Sequence, residues 1–183
     1  MGRIAPRKHN LKTGEKVLIR NALTTDALSL LSVSSGVMQE EDYSITEPDE
    51  FVLSEEQEQE WIRAHADDPG KIILVAEVAG SVVGLLSFEN GNRRRIAHNG
   101  TLGLSIRKEW RERGLGTILL QTLLEWAEEN PLIEKVCLAV LATNARAIGL
   151  YQKLGFVEEG RRPKAIKIAP GRYIDEVLMY RFV

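Results

Sequence analysis

Leu104-Ser105-Ile106-Arg107-Lys108-Glu109-Trp110-Arg111-Glu112-Arg113-Gly114-Leu115-Gly116 joins an apolar β-rich run to a long helical pattern. Gly114 and Gly116 lack Cβ atoms, so a ligand can approach this backbone closely. The first turn of the helix that follows carries unpaired N–H groups and the positive end of the helix dipole, an arrangement suited to a pyrophosphate. Arg111 and Arg113 add positive charge beside it. A dinucleotide fingerprint would need a third glycine where Leu119 stands, and no Gly-Lys-Ser/Thr completes a Walker A loop. Two glycines alone also fit a plain helix-start turn.

On either side of this turn the pattern alternates strand and helix. Ile96 to Ile106 reads as the strand feeding it. Gly114 to Asn130 is helical, with Leu115, Ile118, Leu119, Leu123 and Trp126 as a buried stripe and Pro131 as a stop. Lys135–Leu141 is a continuously apolar strand of the sheet-interior type. Asn144–Leu154 is a second helix, ended by Gly155. Upstream, Lys16–Arg20 is a short strand. Thr24-Thr25-Asp26 opens a helix that Ser34-Ser35-Gly36 should end. Ser54-Glu55-Glu56-Gln57 is a capping box starting a helix to about His65. Ile72–Val78 and Val82–Phe88 form a hairpin through Ala79-Gly80. Phe156–Val157 and Tyr173–Phe182 supply the last strands, and the basic Arg161–Lys167 reads as an exposed loop in preference to a contact for a ligand's phosphate. The order indicates a mixed α/β (α+β) domain at residues 16–183, behind a basic extension at 1–15.

Asn144 and Tyr151 are seven residues apart, two helical turns or about 10 Å along the axis. They share one helix face, with the small Ala147 between them. An extended ligand can lie over Ala147 with Asn144 holding an amide and Tyr151 near its reactive end. The alternative is that Asn144 only caps the helix and Tyr151 only packs.

Composition excludes several classes. The 183 residues are 44% hydrophobic and 27% charged, which is ordinary globular usage. Net charge is −2, from 24 Lys plus Arg against 26 Asp plus Glu, so a basic nucleic-acid binder is not expected. No apolar run reaches the ~18 residues of a membrane span. The single cysteine, Cys137, reads as core, and the three histidines make no zinc-site spacing, so no metal is expected. A cytoplasmic protein is the expectation. The charge is unevenly placed. The first 20 residues carry six cations against Glu15, whereas Asn21 to Ile62 holds no Lys or Arg and many acids between Asp26 and Glu60. These read as solvated faces, or as a site receiving a cation on one side and an anion on the other.

Arg111-x-x-Gly114-x-Gly116 resembles the acetyl-CoA motif of the GNAT family of N-acetyltransferases. Asn144-x-x-Ala147-x-x-x-Tyr151-x-Lys153-x-Gly155-Phe156 resembles that family's second motif, and the two occur in the family's order. The likeness runs from about Lys16 to Val183 and is nearest in pattern to amino-acid N-acyltransferases, with ribosomal-protein and polyamine acetyltransferases close. It implies a twisted mixed sheet of about seven strands, splayed between the fourth and fifth and flanked by about four helices. It places pantetheine along Leu104, Ser105 and Ile106, and the pyrophosphate on the amides from Arg111 through Glu112, Arg113, Gly114, Leu115 and Gly116 to Thr117. Asn144, Ala147 and Lys153 complete the cofactor contacts. The implied reaction is direct acetyl transfer from acetyl-CoA to a primary amine, with Tyr151 protonating the leaving thiolate and a fourth-strand N–H stabilising the oxyanion. The fourth strand carries no carboxylate, which leaves Glu89, His98 or a water relay as general base. A protein N-terminal acetyltransferase and a non-catalytic acyl-CoA-binding module remain as alternatives. The C-terminal strand region is compatible with a homodimer.

Overall fold

The computed structural model describes residues 2–40 and 44–183. Eight strands form one sheet in the order β1-β2-β3-β4-β5-β6-β8-β7. They are β1 (Arg7–Asn10), β2 (Lys16–Asn21), β3 (Lys71–Val78), β4 (Ser81–Asn90), β5 (Asn99–Ile106), β6 (Lys135–Leu141), β7 (Val157–Ala169) and β8 (Arg172–Phe182). The α-helices are α1 (Ala27–Met38), α2 (Glu55–Asp67), α3 (Leu115–Glu129) and α4 (Ala145–Lys153).

The apolar run of β3 shows how the layers arise. Ile72, Leu74 and Ala76 point into one core with the α3 residues Leu119, Leu120 and Leu123. Ile73 and Val75 point into the other, with Leu30 and Val33 of α1 and Ile62 of α2. A strand covered on both faces needs no polar alternation, which is why this stretch reads as a continuous hydrophobic run. The β3–β4 hairpin turns at Ala79 and Gly80, both at positive φ (49° and 81°), the geometry of a tight two-residue turn.

The sheet opens where the site lies. β5 and β6 pair in parallel at only three positions, Asn99↔Lys135, Gly100↔Val136 and Thr101↔Cys137. Beyond them β5 stays paired with β4 as far as Gly84↔Ile106, and β6 with β8 as far as Leu141↔Glu176. The two strands therefore diverge, leaving the facing backbone edges of Leu102–Ile106 and Leu138–Leu141 unpaired. This is the splay expected between the fourth and fifth strands of the sequence reading, which are β5 and β6.

Four expectations are corrected. The sheet has eight strands, because Arg7–Asn10 pairs with β2 from Arg7↔Ile19 to Asn10↔Lys16 instead of forming a free extension. α1 runs through Ser34-Ser35-Gly36 to Met38, since Leu30 and Val33 anchor it in the core. β5 begins at Asn99, and Arg93–His98 forms a turn. Arg161–Lys167 belongs to β7, an exposed strand held by a hairpin with β8 that carries three register shifts.

Candidate active site

The splay opens into a cleft of about 960 Å³ between β5, β6, the glycine turn and α4. Leu104, Ser105 and Ile106 form one wall. Arg111, Glu112, Gly114, Gly116 and Thr117 border the end at the α3 N-terminus, and Asn144, Ala147, Tyr151 and Lys153 of α4 lie along it. Twelve of the fourteen residues expected from sequence thus share one cavity. Arg113 and Leu115 do not line it. Leu115 is 1% exposed inside the main core. Arg113 turns to Glu15 (2.6 Å) and stacks on Trp110, 4.8 Å from the ring centroid.

The glycine turn has the geometry of an anion site. Glu112 and Gly114 both take positive φ, 64° and 90°, so two left-handed residues reverse the chain just before α3. Gly114 is the α3 N-cap. The first α3 bond runs from Ile118 N–H to Gly114 O at 3.2 Å, so the amides of Leu115, Gly116 and Thr117 precede the helical ladder. At Gly116 a Cβ would meet the flexible tips of Leu150 (Cδ2, 3.2 Å) and Ile106 (Cδ1, 3.4 Å). The two expected cations are already paired. Arg111 donates Nη1 and Nη2 to Glu40 at 2.6 and 2.7 Å and Nε to the Ile106 carbonyl at 2.9 Å. This bidentate pair fixes the turn but leaves it little net charge.

The α4 residues cap and pack, and they also border the cleft. Asn144 caps the helix, its Oδ1 accepting from Ala147 N–H at 3.1 Å, and it also lines the cleft. Tyr151 is 8% exposed and packs edge-on against Phe156, 5.8 Å between centroids. Burial pushes its hydroxyl up to about 12, so it stays protonated at neutral pH. The cleft also holds two residues that motif reading passed over. Lys12 comes from the β1–β2 hairpin and Glu176 from β8. Glu176 has a side chain 14% exposed and accepts from Arg162 Nη1 at 2.8 Å. No local spacing rule marks either residue.

The candidate bases are not brought together with Tyr151. Neither Glu89 nor His98 lines the cleft. Glu89 is half-exposed and paired with Lys71. His98 offers its backbone carbonyl to Glu134 and Lys135 at the far end of β5. The acids of the Asp26–Glu60 segment do not line the cleft either, among the described residues. Asp26 pairs with Arg20 (2.7 Å), Glu40 with Arg111, and Glu58 is buried on α2. Glu41 and Asp42 lie outside the described residues. Burial raises the Cys137 thiol, consistent with an unreactive strand cysteine. Among the described residues no cluster of His, Cys, Asp or Glu is arranged to hold a metal, and no helix is long and apolar enough to cross a membrane.

The donor set fits acetyl-CoA. Free first-turn amides would suit a pyrophosphate, and the unpaired β5 edge offers amide partners to an extended pantetheine arm. Comparison with known proteins agrees. Residues 38–156 match the model of the acetyltransferase (GNAT) family. The chain is 33% identical over 121 residues to the L-amino acid N-acetyltransferase AaaT of Escherichia coli, covering 66% of this chain and 74% of that protein. A solved GNAT-family acetyltransferase of Streptococcus pneumoniae superposes with a TM-score of 0.87 at 32% identity, covering 91% of this chain and 99% of the other. A phosphinothricin acetyltransferase of Sinorhizobium meliloti, solved in complex with acetyl-CoA, shares the fold with a TM-score of 0.80 at 19% identity, covering 91% and 88% of the two chains. The splayed sheet, the glycine turn at its mouth and these matches place the chain in the GNAT family of acetyl-CoA-dependent N-acetyltransferases.

Proposed function

We propose that the chain acetylates the primary amine of a small molecule that also carries a carboxylate, with an α-amino acid as the favoured class. The carrying observation is the pair of functional groups on the walls of one cleft, the buried Tyr151 hydroxyl and the Glu176 carboxylate held by Arg162. Acetyl-CoA, when bound, supplies a thioester carbonyl. The chain's own groups do the rest. The unpaired β5 edge offers N–H donors to the charge that develops on the carbonyl oxygen. The amine nitrogen bonds to the acetyl carbon, the carbon–sulfur bond breaks, and Tyr151 Oη gives its proton to the departing sulfur. Its raised pKa keeps that proton available. The amine arrives mostly as ammonium, and Glu176 attracts it; of the two protons it sheds on becoming an amide, one passes to Glu176 or to water and the other restores the Tyr151 hydroxyl.

Glu176 and Arg162 together favour a zwitterion. They also border a second cavity of about 490 Å³ with Ile45, Ile166 and Lys167. An ammonium on Glu176 leaves Arg162 and Lys167 for a carboxylate, the polarity of an amino acid and the reverse of what a polyamine needs. The similarity to a protein named for L-amino acids supports the same class. The test is a thiol-release assay with acetyl-CoA over free amino acids, their amides, polyamines and peptide N-termini. Turnover of free amino acids well above their amides is expected. Equal turnover of both, or a preference for polyamines or peptides, overturns this reading.

A further inference from the structure

The N-terminal β1–β2 hairpin lies outside the family match, which begins at residue 38, and it is docked on the glycine turn. Lys12 N–H donates to the Arg113 carbonyl at 3.0 Å, and Glu15 accepts from Arg113 Nη1 at 2.6 Å. Leu11 is 4% exposed in the same core as Leu115. The Lys12 stem covers Gly114 so closely that a Cβ on the glycine would meet Lys12 Cγ at 3.5 Å. The hairpin is therefore a fixed part of the cleft mouth.

Its charge is placed where the cofactor's phosphates arrive. Arg111 and Arg113 are neutralised by Glu40 and Glu15, whereas Lys12 lines the cleft without an ion-pair partner among the described residues. We infer that Lys12 is a phosphate-binding residue of the acetyl-CoA site, held there by the hairpin, and that it supplies the cation that the motif arginines do not. An ammonium on a flexible stem is a point charge that can follow a phosphate group without bidentate geometry.

The experiment is calorimetric titration of the full chain with CoA and with dephospho-CoA, which lacks the 3′-phosphate. The variants are Lys12→Ala and, as a control of equal charge change on the same hairpin, Lys8→Ala. Lys8 is exposed and does not line the cleft. Lys12→Ala is expected to weaken CoA by about 5- to 15-fold, with a smaller difference at high salt, and Lys8→Ala by less than about 2-fold. A loss that disappears with dephospho-CoA assigns Lys12 to the 3′-phosphate, and a loss that persists assigns it to the pyrophosphate. Unchanged CoA affinity in Lys12→Ala, or an equal loss in Lys8→Ala, overturns the inference. Binding is read without an acceptor, so the outcome is independent of which amine is acetylated.

Discussion

Gly114 allows the site's backbone to be tested apart from its side chains. It holds φ 90° and ψ −2° as the N-cap of α3. A Cβ there would touch only the Lys12 stem, at 3.5 to 3.8 Å, which is ordinary contact. Gly114→Ala therefore has no steric component, and its effect is the left-handed penalty of about 1–2 kcal/mol for an L-residue. Replacing glycine also restricts the unfolded chain, which stabilises by about 0.4–1 kcal/mol. The net destabilisation is about 1 kcal/mol, a fall in Tm of roughly 2–4 °C for a chain of this size. Gly114→Asn keeps the unfolded-state gain and tolerates this conformation, so it should lie within about 1 °C of the parent. Gly116→Ala is the contrast. Gly116 has no positive φ, and its neighbours are the flexible tips of Leu150 and Ile106, so melting should hardly move. The assay is thermal unfolding without acetyl-CoA, because a bound ligand would add its own stabilisation. A Gly114→Ala variant as stable as the parent, or a Gly114→Asn variant as unstable as Gly114→Ala, refutes the account of this turn.

Three further outcomes follow from the geometry. Tyr151→Phe should lower kcat by about 100-fold or more while leaving acetyl-CoA affinity unchanged, and the parent's activity should show no alkaline loss from this hydroxyl below about pH 10. Glu40→Gln removes an anion from beside the phosphate turn, so calorimetry should show acetyl-CoA binding about 2- to 5-fold tighter at low salt, an effect lost in high salt. Asp26 would be raised by its burial, but hydrogen bonds from Arg20 and the Leu23 amide outweigh this and hold its pKa below the ordinary value. A depressed carboxylate stabilises the fold above its unfolded pKa of about 3.9, and that stability is lost as pH falls through the folded value. Urea unfolding should thus show Asp26→Asn about 2 kcal/mol less stable than the parent at pH 7, with the gap narrowing below pH 4; a gap independent of pH refutes the assignment.

What was legible in the sequence was what depends on local rules. The α3 stripe of Leu115, Leu119 and Leu123 repeats at helical spacing, and all three are buried. The turn of Ala79-Gly80 and the capping box at Ser54 are decided within a few residues and formed as read. The misses have non-local causes. Arg7–Asn10 has no apolar alternation and is a strand because Lys16–Ile19 pairs with it. Ser34-Ser35-Gly36 favours a helix stop, but burial of Leu30 and Val33 carries α1 one turn further. β7 includes Pro163 and four cations, features of a protected edge, and β8 imposes its extension.

The same division runs through the site and bears on where specificity resides. A pyrophosphate met by backbone amides needs glycine at fixed spacing, and fixed spacing can be read along one segment. An acceptor lying in the cleft would be met by side chains. The walls available to it come from Ser34, Val37, Met38 and Ile45 at the α1 end and Glu176 on β8. Glu176 lies beyond residue 156, where the family match ends, and so does its partner Arg162. Lys12 lies before the match begins. No spacing rule connects these residues, since they meet only through the register Leu141↔Glu176 and the docking of the β1–β2 hairpin. The acidic segment illustrates the point from the other side. Its charges looked suited to a cationic acceptor, yet Asp26 and Glu40 are paired with Arg20 and Arg111, as far as 71 residues away in sequence. Neither carboxylate lines the cleft, whatever the local charge count. Charge in the sequence therefore identifies which residues can pair. The sheet decides which of them face the cleft, and by that criterion Glu176, rather than the acidic stretch, is the carboxylate proposed as the acceptor's charge partner.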